Sequence, residues 1–280
     1  MEKEWFFRLL RDPQSGQPLA ALADDAVPTF VDPAPAAPAQ GFNYAAHYAT
    51  DAVEFDYFEE YTDRLTAAHL NLLRTTVMKT VPADADLLLD VGCGSAFVAS
   101  HFCPKGRHVV SMDIAPANVR KALERFPFDN HAGVVADAFR LPFADGTFDC
   151  IIASEIIEHT VDPQTFLVSL CSKLKPGGTL IVSTPYMERI AYSLCIHCNC
   201  KTPHNAHLHS FDKPRMQKLA AALPARIDSM RLVGNKLLLR THLSMLFSHL
   251  GYSLWSLLDR LANRLLPRAE HFVIKIVKNK

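Results

Sequence analysis

Five short apolar runs set the rhythm of the middle of this 280-residue chain: Leu87–Val91, Val109–Met112, Gly133–Ala136, Phe148–Ala153 and Thr179–Ser183. The first three are closed by Gly92, Asp113 and Asp137, and the fifth follows the turn Pro176-Gly177-Gly178. Helix-like stretches lie around 95–103, 115–125 and 163–174. Buried strands of this length alternating with helices predict an α/β domain with a parallel, doubly wound sheet. Ligands of such a sheet bind outside the carboxyl ends of its strands, where the strand order switches. Later in the chain, His271–Val277 reads as a last strand with Arg226–Val233 as its partner. Asp212 is placed to cap a helix running to Ala221, with Pro214 in its first turn.

Outside this alternation the pattern changes. Trp5, Phe6, Phe7, Leu9 and Leu10 form an apolar cluster ahead of a turn from Asp12 to Leu19, and residues 24–41 have the Pro, Ala and Asp content of a linker. A helical pattern rich in tyrosine and phenylalanine runs from Tyr44 to Leu73. Between the last two strands, Leu243, Leu246, Phe247, Leu250, Leu254, Leu257, Leu258 and Leu261 recur at helical spacing within a 236–266 insertion. The chain therefore divides into an N-terminal segment, 1–41, and one domain, 42–280.

Composition narrows the function. A hydrophobic share of 49% supports a large core and excludes global disorder. The 29 basic and 29 acidic side chains cancel, which argues against a nucleic-acid binder held by a broad basic surface. Acidic residues stand where a secretory leader needs basic ones, and no uninterrupted apolar run reaches spanning length. Seven scattered cysteines suit the reduced thiols of a cytoplasm. Charge is not even along the chain: residues 231–280 hold nine Lys/Arg against two Asp/Glu, a net +7. With the leucine periodicity, this allows peripheral contact of 236–266 with an anionic membrane, or a cover over a lipid-linked substrate. A helical pair packed on the domain or on a second subunit is the competing expectation, and the oligomeric state stays open.

The segment Leu87-Leu88-Leu89-Asp90-Val91-Gly92-Cys93-Gly94-Ser95-Ala96 is a strand entering a glycine turn that leaves as a helix. Without Cβ atoms at Gly92 and Gly94, backbone can approach a ligand closely. A dinucleotide fingerprint would need a small residue at 97, where this chain has Phe97, so an NAD(P)-dependent oxidoreductase is the weaker alternative. With Asp113 after the second strand, Asp137-Ala138 after the third, and Leu141-Pro142-Phe143-Ala144-Asp145-Gly146-Thr147-Phe148-Asp149 leading into the fourth, the set resembles the class I S-adenosylmethionine (SAM)-dependent methyltransferases. Ala96 stands where that family has a third glycine.

The resemblance implies a Rossmann-like sheet of seven strands, mainly parallel with an antiparallel last strand. It also implies SAM as cofactor, held by Asp90, Gly92, Cys93, Gly94, Asp113, Ile114, Asp137, Ala138 and Ser154. Asp113 corresponds to the acid that meets the ribose hydroxyls, and Asp137-Ala138 to the pair beside the adenine. The N-terminal turn is similar to a small zinc ribbon found before some such domains, with Asp12 and Ser15 in place of cysteines. A non-catalytic SAM-binding scaffold is the other alternative.

Methyl transfer asks mainly for alignment, exclusion of water and, for some acceptors, removal of a proton. Candidates for that step are His159 and His207. If Ser154–His159 is helical, Glu155, Glu158 and His159 share a face, in a pattern similar to the E-x-x-E-H segment of quinone-biosynthesis O-methyltransferases, where a divalent metal is associated. A separate loop, 195–209, offers Cys195, Cys198, His207 and His209 as a set for zinc or a similar metal, with Cys200 and His204 as spares. In the family comparison His207 instead faces the acceptor pocket. The expected acceptor is a small-molecule or lipid-linked biosynthetic intermediate, methylated on oxygen by preference.

Overall fold

The computed structural model describes residues 3–19, 27–31, 44–59, 61–194, 199–241, 243, 246 and 250–280. Most of the 24–41 linker lies outside them. Seven strands form one sheet: β1 (Leu87–Val91), β2 (His108–Asp113), β3 (His131–Val135), β4 (Phe148–Ser154), β5 (Leu174–Pro185), β8 (Ala225–Asn235) and β9 (Ala269–Lys278). Their order is β3-β2-β1-β4-β5-β9-β8. Pairings among β1 to β5 are parallel, and β9 runs antiparallel to both β5 and β8. The expected seven-stranded sheet with an antiparallel last strand is therefore present. A separate hairpin pairs β6 (Tyr192–Leu194) with β7 (Lys201–Pro203).

Apolar runs rather than alternation mark the central strands because both faces of the sheet are covered. Leu88, Ile152, Ile181 and Val273 point to one face, where they meet Leu72, Leu73 and Val77 of α3 (Arg64–Thr80), Val98 and Ala99 of α4 (Phe97–Phe102), and Trp255 of α9 (Tyr252–Leu265). Leu89, Ile151, Leu180 and Ile274 point to the other, against Phe166, Leu167 and Leu170 of α6 (Pro163–Lys173) and Met216 of α7 (Lys213–Ala220). Asp212 caps α7 as expected, accepting the Arg215 N–H at 2.8 Å.

The N-terminal hook joins this second layer. Phe6, in the short α1 (Glu4–Phe7), and Leu10 are buried there, and Leu10 bridges to Phe143. Asp12 and Ser15, the positions compared with zinc ligands, are tied to each other: the Asp12 carboxylate accepts from the Ser15 hydroxyl at 2.8 Å and from the Gln14 and Ser15 N–H groups. The aromatic stretch after residue 43 breaks into α2 (Tyr44–Glu54) and α3, the latter capped by Asp63. α5 (Pro116–Arg125) links β2 to β3, and α8 (Lys236–Arg240) opens the insertion that ends with α9.

Candidate active site

The order switch between β1 and β4 opens a cavity of about 1030 Å³ at the carboxyl edge of the sheet. After Val91 the chain turns through Gly92 and Gly94, at φ +67° and +45°, and α4 begins at Phe97. A Cβ at Gly92 would lie 2.2 Å from the Ile156 Cδ1 atom, so this glycine is required for close approach as well as for φ. Ala96, in the family's third glycine position, holds φ +51° and is buried. An alanine there costs on the order of 1 kcal/mol of backbone strain. The Gly92 and Cys93 N–H groups both donate to the Met112 carbonyl, at 2.8 and 3.0 Å, which fixes the turn to β2.

Eight of the nine residues expected at the cofactor line this cavity: Gly92, Cys93, Gly94, Asp113, Ile114, Asp137, Ala138 and Ser154. The ninth, Asp90, lies buried beneath the turn with Oδ2 unpartnered among the described residues. Burial, then the neighbouring Asp113, pushes its pKa well above the usual carboxylate range. Asp113 is held for presentation: Oδ1 accepts the Ala115 N–H at 2.9 Å and Oδ2 accepts from the Asn118 amide at 3.2 Å. Burial raises its pKa too, against these bonds. Asp137 accepts from the Phe139 N–H at 2.9 Å and, on its other oxygen, from the Tyr44 hydroxyl. Through Tyr44, helix α2 reaches the Asp137 side of the cavity, with Tyr48, Asp51 and Tyr57 also lining it.

Sequence reasoning missed Arg74. It is the single lysine or arginine among the lining residues, donates to the Ser95 hydroxyl at 3.0 Å and sits 5.5 Å from the Phe97 ring centroid. No motif marks it, because α3 precedes the first strand and only packing brings it over the glycine turn.

Past β4 the structure departs from the helical expectation. Glu155 has φ +56°, and only Ile157–His159 form a single 3-10 turn. Glu155, Glu158 and His159 therefore do not share one helical face. Glu155 turns to Ser183 at 2.8 Å and to His271 Nδ1 at 2.9 Å, a residue on β9 that no motif marks for this site. Burial opposes charge on both partners, yet each favours the other's charged form: the Glu155 pKa is lowered and the His271 pKa raised.

Glu158 is 1% exposed, and neither carboxylate oxygen has a hydrogen-bond partner among the described residues. Its backbone carbonyl accepts from the Leu208 and His209 N–H groups, which draws the 204–209 segment against the turn. The His159 ring lines the cavity, and its centroid lies 4.7 Å from that of His207. Burial, followed by the charge of His207, lowers the His159 pKa to about 4. His207 stands behind His159 rather than on the cavity wall, with Nδ1 2.5 Å from Glu188 Oε2. Glu158, His159 and His207 together place one ligand-type atom each within 4.8 Å of one another.

His209 turns away from this group and accepts from Arg215 at 3.1 Å. Cys195 and Cys198 lie outside the described residues, and Cys200 is exposed. Among the described residues, then, His207 gathers with Glu158 and His159 and not with His209.

Known proteins point the same way. Residues 89–182 match a family model described as a methyltransferase domain. The human mitochondrial ubiquinone biosynthesis O-methyltransferase is 30% identical over 137 residues, 44% of this chain and 37% of that protein. Its namesake from Maricaulis maris is 31% identical over 120 residues, 41% and 46% of the two chains. The chain thus spans less than half the length of these curated relatives. In fold it is similar to Burkholderia thailandensis 1,6-didemethyltoxoflavin-N1-methyltransferase, solved with S-adenosylhomocysteine, at 18% identity and TM-score 0.56 over 91% of this chain and all of that one. The 4+2 cyclase SpnF shares the fold at 16% identity and TM-score 0.57, covering 85% and 95%, so the architecture alone does not fix the reaction. By strand order, motif order and these matches, residues 89–182 are a methyltransferase domain, and the fold around it is similar to that of the SAM-dependent methyltransferases.

Proposed function

We propose that this chain transfers a methyl group from SAM to a small-molecule or lipid-linked biosynthetic intermediate, with a hydroxyl oxygen as the favoured acceptor. The observation that carries the reading is the convergence of Asp113, Asp137, the Gly92–Gly94 turn and His159 on one cavity. At about 1030 Å³ the cavity exceeds what one drug-sized ligand fills, which leaves room for cofactor and acceptor together. In this reading Asp113 accepts the two ribose hydroxyls, Asp137 and Ala138 border the adenine, and Arg74 meets the methionine carboxylate. The name of the relatives, O-methyltransferases of ubiquinone biosynthesis, supports oxygen as the acceptor atom.

The chemistry is an in-line displacement: the acceptor oxygen bonds to the methyl carbon as the carbon–sulfur bond breaks, its electron pair stays on sulfur in the departing S-adenosylhomocysteine, and the acceptor proton passes to water. With its pKa near 4, His159 is neutral at neutral pH and serves to orient the acceptor hydroxyl rather than as a strong base. A divalent cation fits the group behind it, since among the described residues neither Glu158 oxygen nor His159 Nδ1 has a hydrogen-bond partner, and Glu158 Oε1 is 3.9 Å from His159 Nε2. Glu158, His159 and His207 would hold it, and its charge would lower the pKa of the acceptor hydroxyl.

Calorimetric titration with SAM, S-adenosylhomocysteine and NAD, followed by mass spectrometry of phenolic acceptors incubated with SAM, tests the proposal. Adenosyl-ligand binding that is lost in Asp113→Ala, together with methylated phenol, is the expected result. Binding of NAD alone overturns the cofactor assignment; turnover confined to amine acceptors overturns the choice of oxygen. Added EDTA should slow turnover in the native chain and have no effect in Glu158→Gln if the cation site is right.

A further inference from the structure

Helix α9 is amphipathic with its faces exchanged. The inward side carries Trp255, Ser256, Asp259 and Asn263, all buried. The Asp259 carboxylate accepts the Gly234 and Asn235 N–H groups at 3.1 and 2.7 Å. Asn263 accepts from the Asn235 amide at 3.0 Å, and Ser256 accepts from Arg231 at 2.7 Å. Directional bonds of this kind fix the rotation of the helix about its axis. They turn Leu254, Leu257, Leu261 and Leu265 outward, each between 44% and 80% exposed. The same insertion exposes Leu237, Leu243, Leu246 and Leu250. So many exposed leucines within one insertion mark an interaction surface.

Charge follows the same surface. Arg240, Arg260, Arg264 and Arg268 are exposed, and none has an ion-pair partner among the described residues. Arg260 and Arg264 stand three residues after Leu257 and Leu261, which puts them along one flank of the leucine row. Between residues 236 and 268 the sequence has one carboxylate, Asp259, and it faces inward.

We infer that this face docks on an anionic lipid bilayer, with the leucines in the acyl boundary and the arginines among the headgroups. A bilayer satisfies both features at once. A second copy of the chain does not, because a self-complementary interface would bring two arginine rows together with no exposed carboxylate in the segment to answer them. The contact is peripheral, since no helix of the described residues is long and apolar enough to cross a membrane.

Topology places both ends of the insertion at the edge of the sheet that holds the cleft. The insertion leaves β8 at Asn235 and returns at Ala269, which pair with each other, two residues before His271 pairs with Pro185. That is the carboxyl edge of the sheet, where Ser154 and Glu155 also lie. The inference rests on the surface and not on methyl transfer.

Flotation of the full chain with phosphatidylcholine vesicles, and with vesicles containing about one third phosphatidylglycerol, tests it. Selective flotation with the anionic vesicles, weakened by salt, is expected. Leu257→Ser with Leu261→Ser, and separately Arg260→Gln with Arg264→Gln, should each lower the bound fraction at least tenfold while SAM affinity and melting temperature hold. The arginine pair repeats the test without altering apolar surface. Failure of the native chain to float, or flotation indifferent to both pairs, overturns the inference. So does light scattering that shows a dimer dissociated by the leucine pair with no flotation.

Discussion

Single side chains in this cleft owe their roles to partners far away in sequence. Arg74 and His271 show this most clearly. Among the described residues Arg74 is the one guanidinium lining the cavity, so Arg74→Met should weaken SAM binding on the order of tenfold, the scale of one charged contact. Calorimetry should find adenosine binding, which lacks the carboxylate, unchanged; an equal loss for both ligands would reassign Arg74 to a packing role. His271 neutralises Glu155 inside the fold. Truncation in His271→Ala leaves that partly buried carboxylate with the Ser183 hydroxyl but without its cationic partner, which costs about 1–2 kcal/mol. Urea denaturation measures it, and adding Glu155→Gln should restore much of the loss. A double variant no better than the single would show that the ring acts by packing alone. The acid residues of the glycine turn and of the second and third strand ends were legible from their spacing. Arg74 and His271 were not, because neither sits in a motif.

Among the elements, the strands were the most readable, since each is a short apolar run between punctuating residues. The Ser154–His159 stretch was the least. Its periodicity allowed a helix that would align three ligand-type residues, but Glu155 takes a left-handed conformation and swings to β9. Local pattern lost there to a tertiary ion pair. Helix α9 was legible as a helix, whereas its orientation was not: leucine periodicity ordinarily marks the buried face. The bond from Asp259 to the β8 backbone decides otherwise. Asp259→Ala leaves two buried N–H groups without an acceptor and should cost about 2–4 kcal/mol. Hydrogen exchange at α9 should accelerate more than exchange in β1 to β5; uniform acceleration would mean that the helix does not open separately.

At the scale of the molecule, burial lowers the pKa of five histidines among the described residues, His69, His101, His131, His159 and His209, three of them far. His69, His131 and His159 have pKa values lowered to about 4, each by burial first. The unfolded chain protonates such rings near pH 6.5 and the folded chain does not. Their contribution to stability is therefore complete above that pH and is lost as pH falls toward 4. Three such groups give a slope of about 4 kcal/mol per pH unit at its steepest. Denaturant midpoints measured from pH 7 to 5 should fall steeply, and a flat series would mean that these rings are solvated in the native state. His271, with its raised pKa, contributes in the opposite sense, losing its stabilising charge as pH rises.

Hydrophobic periodicity and the glycine and acid punctuation were enough to determine the class of fold, the sheet's strands and the end of the sheet at which the cavity opens. These features are local, since strand length, turn chemistry and strand-end residues act within a few positions of one another. Tertiary structure alone decided which histidines meet, that Glu155 pairs with His271, that Arg74 reaches the cleft, and that α9 shows its leucines to solvent. Each of these depends on contacts between elements distant along the chain. Their energies depend on burial and direction, which no spacing of residues records.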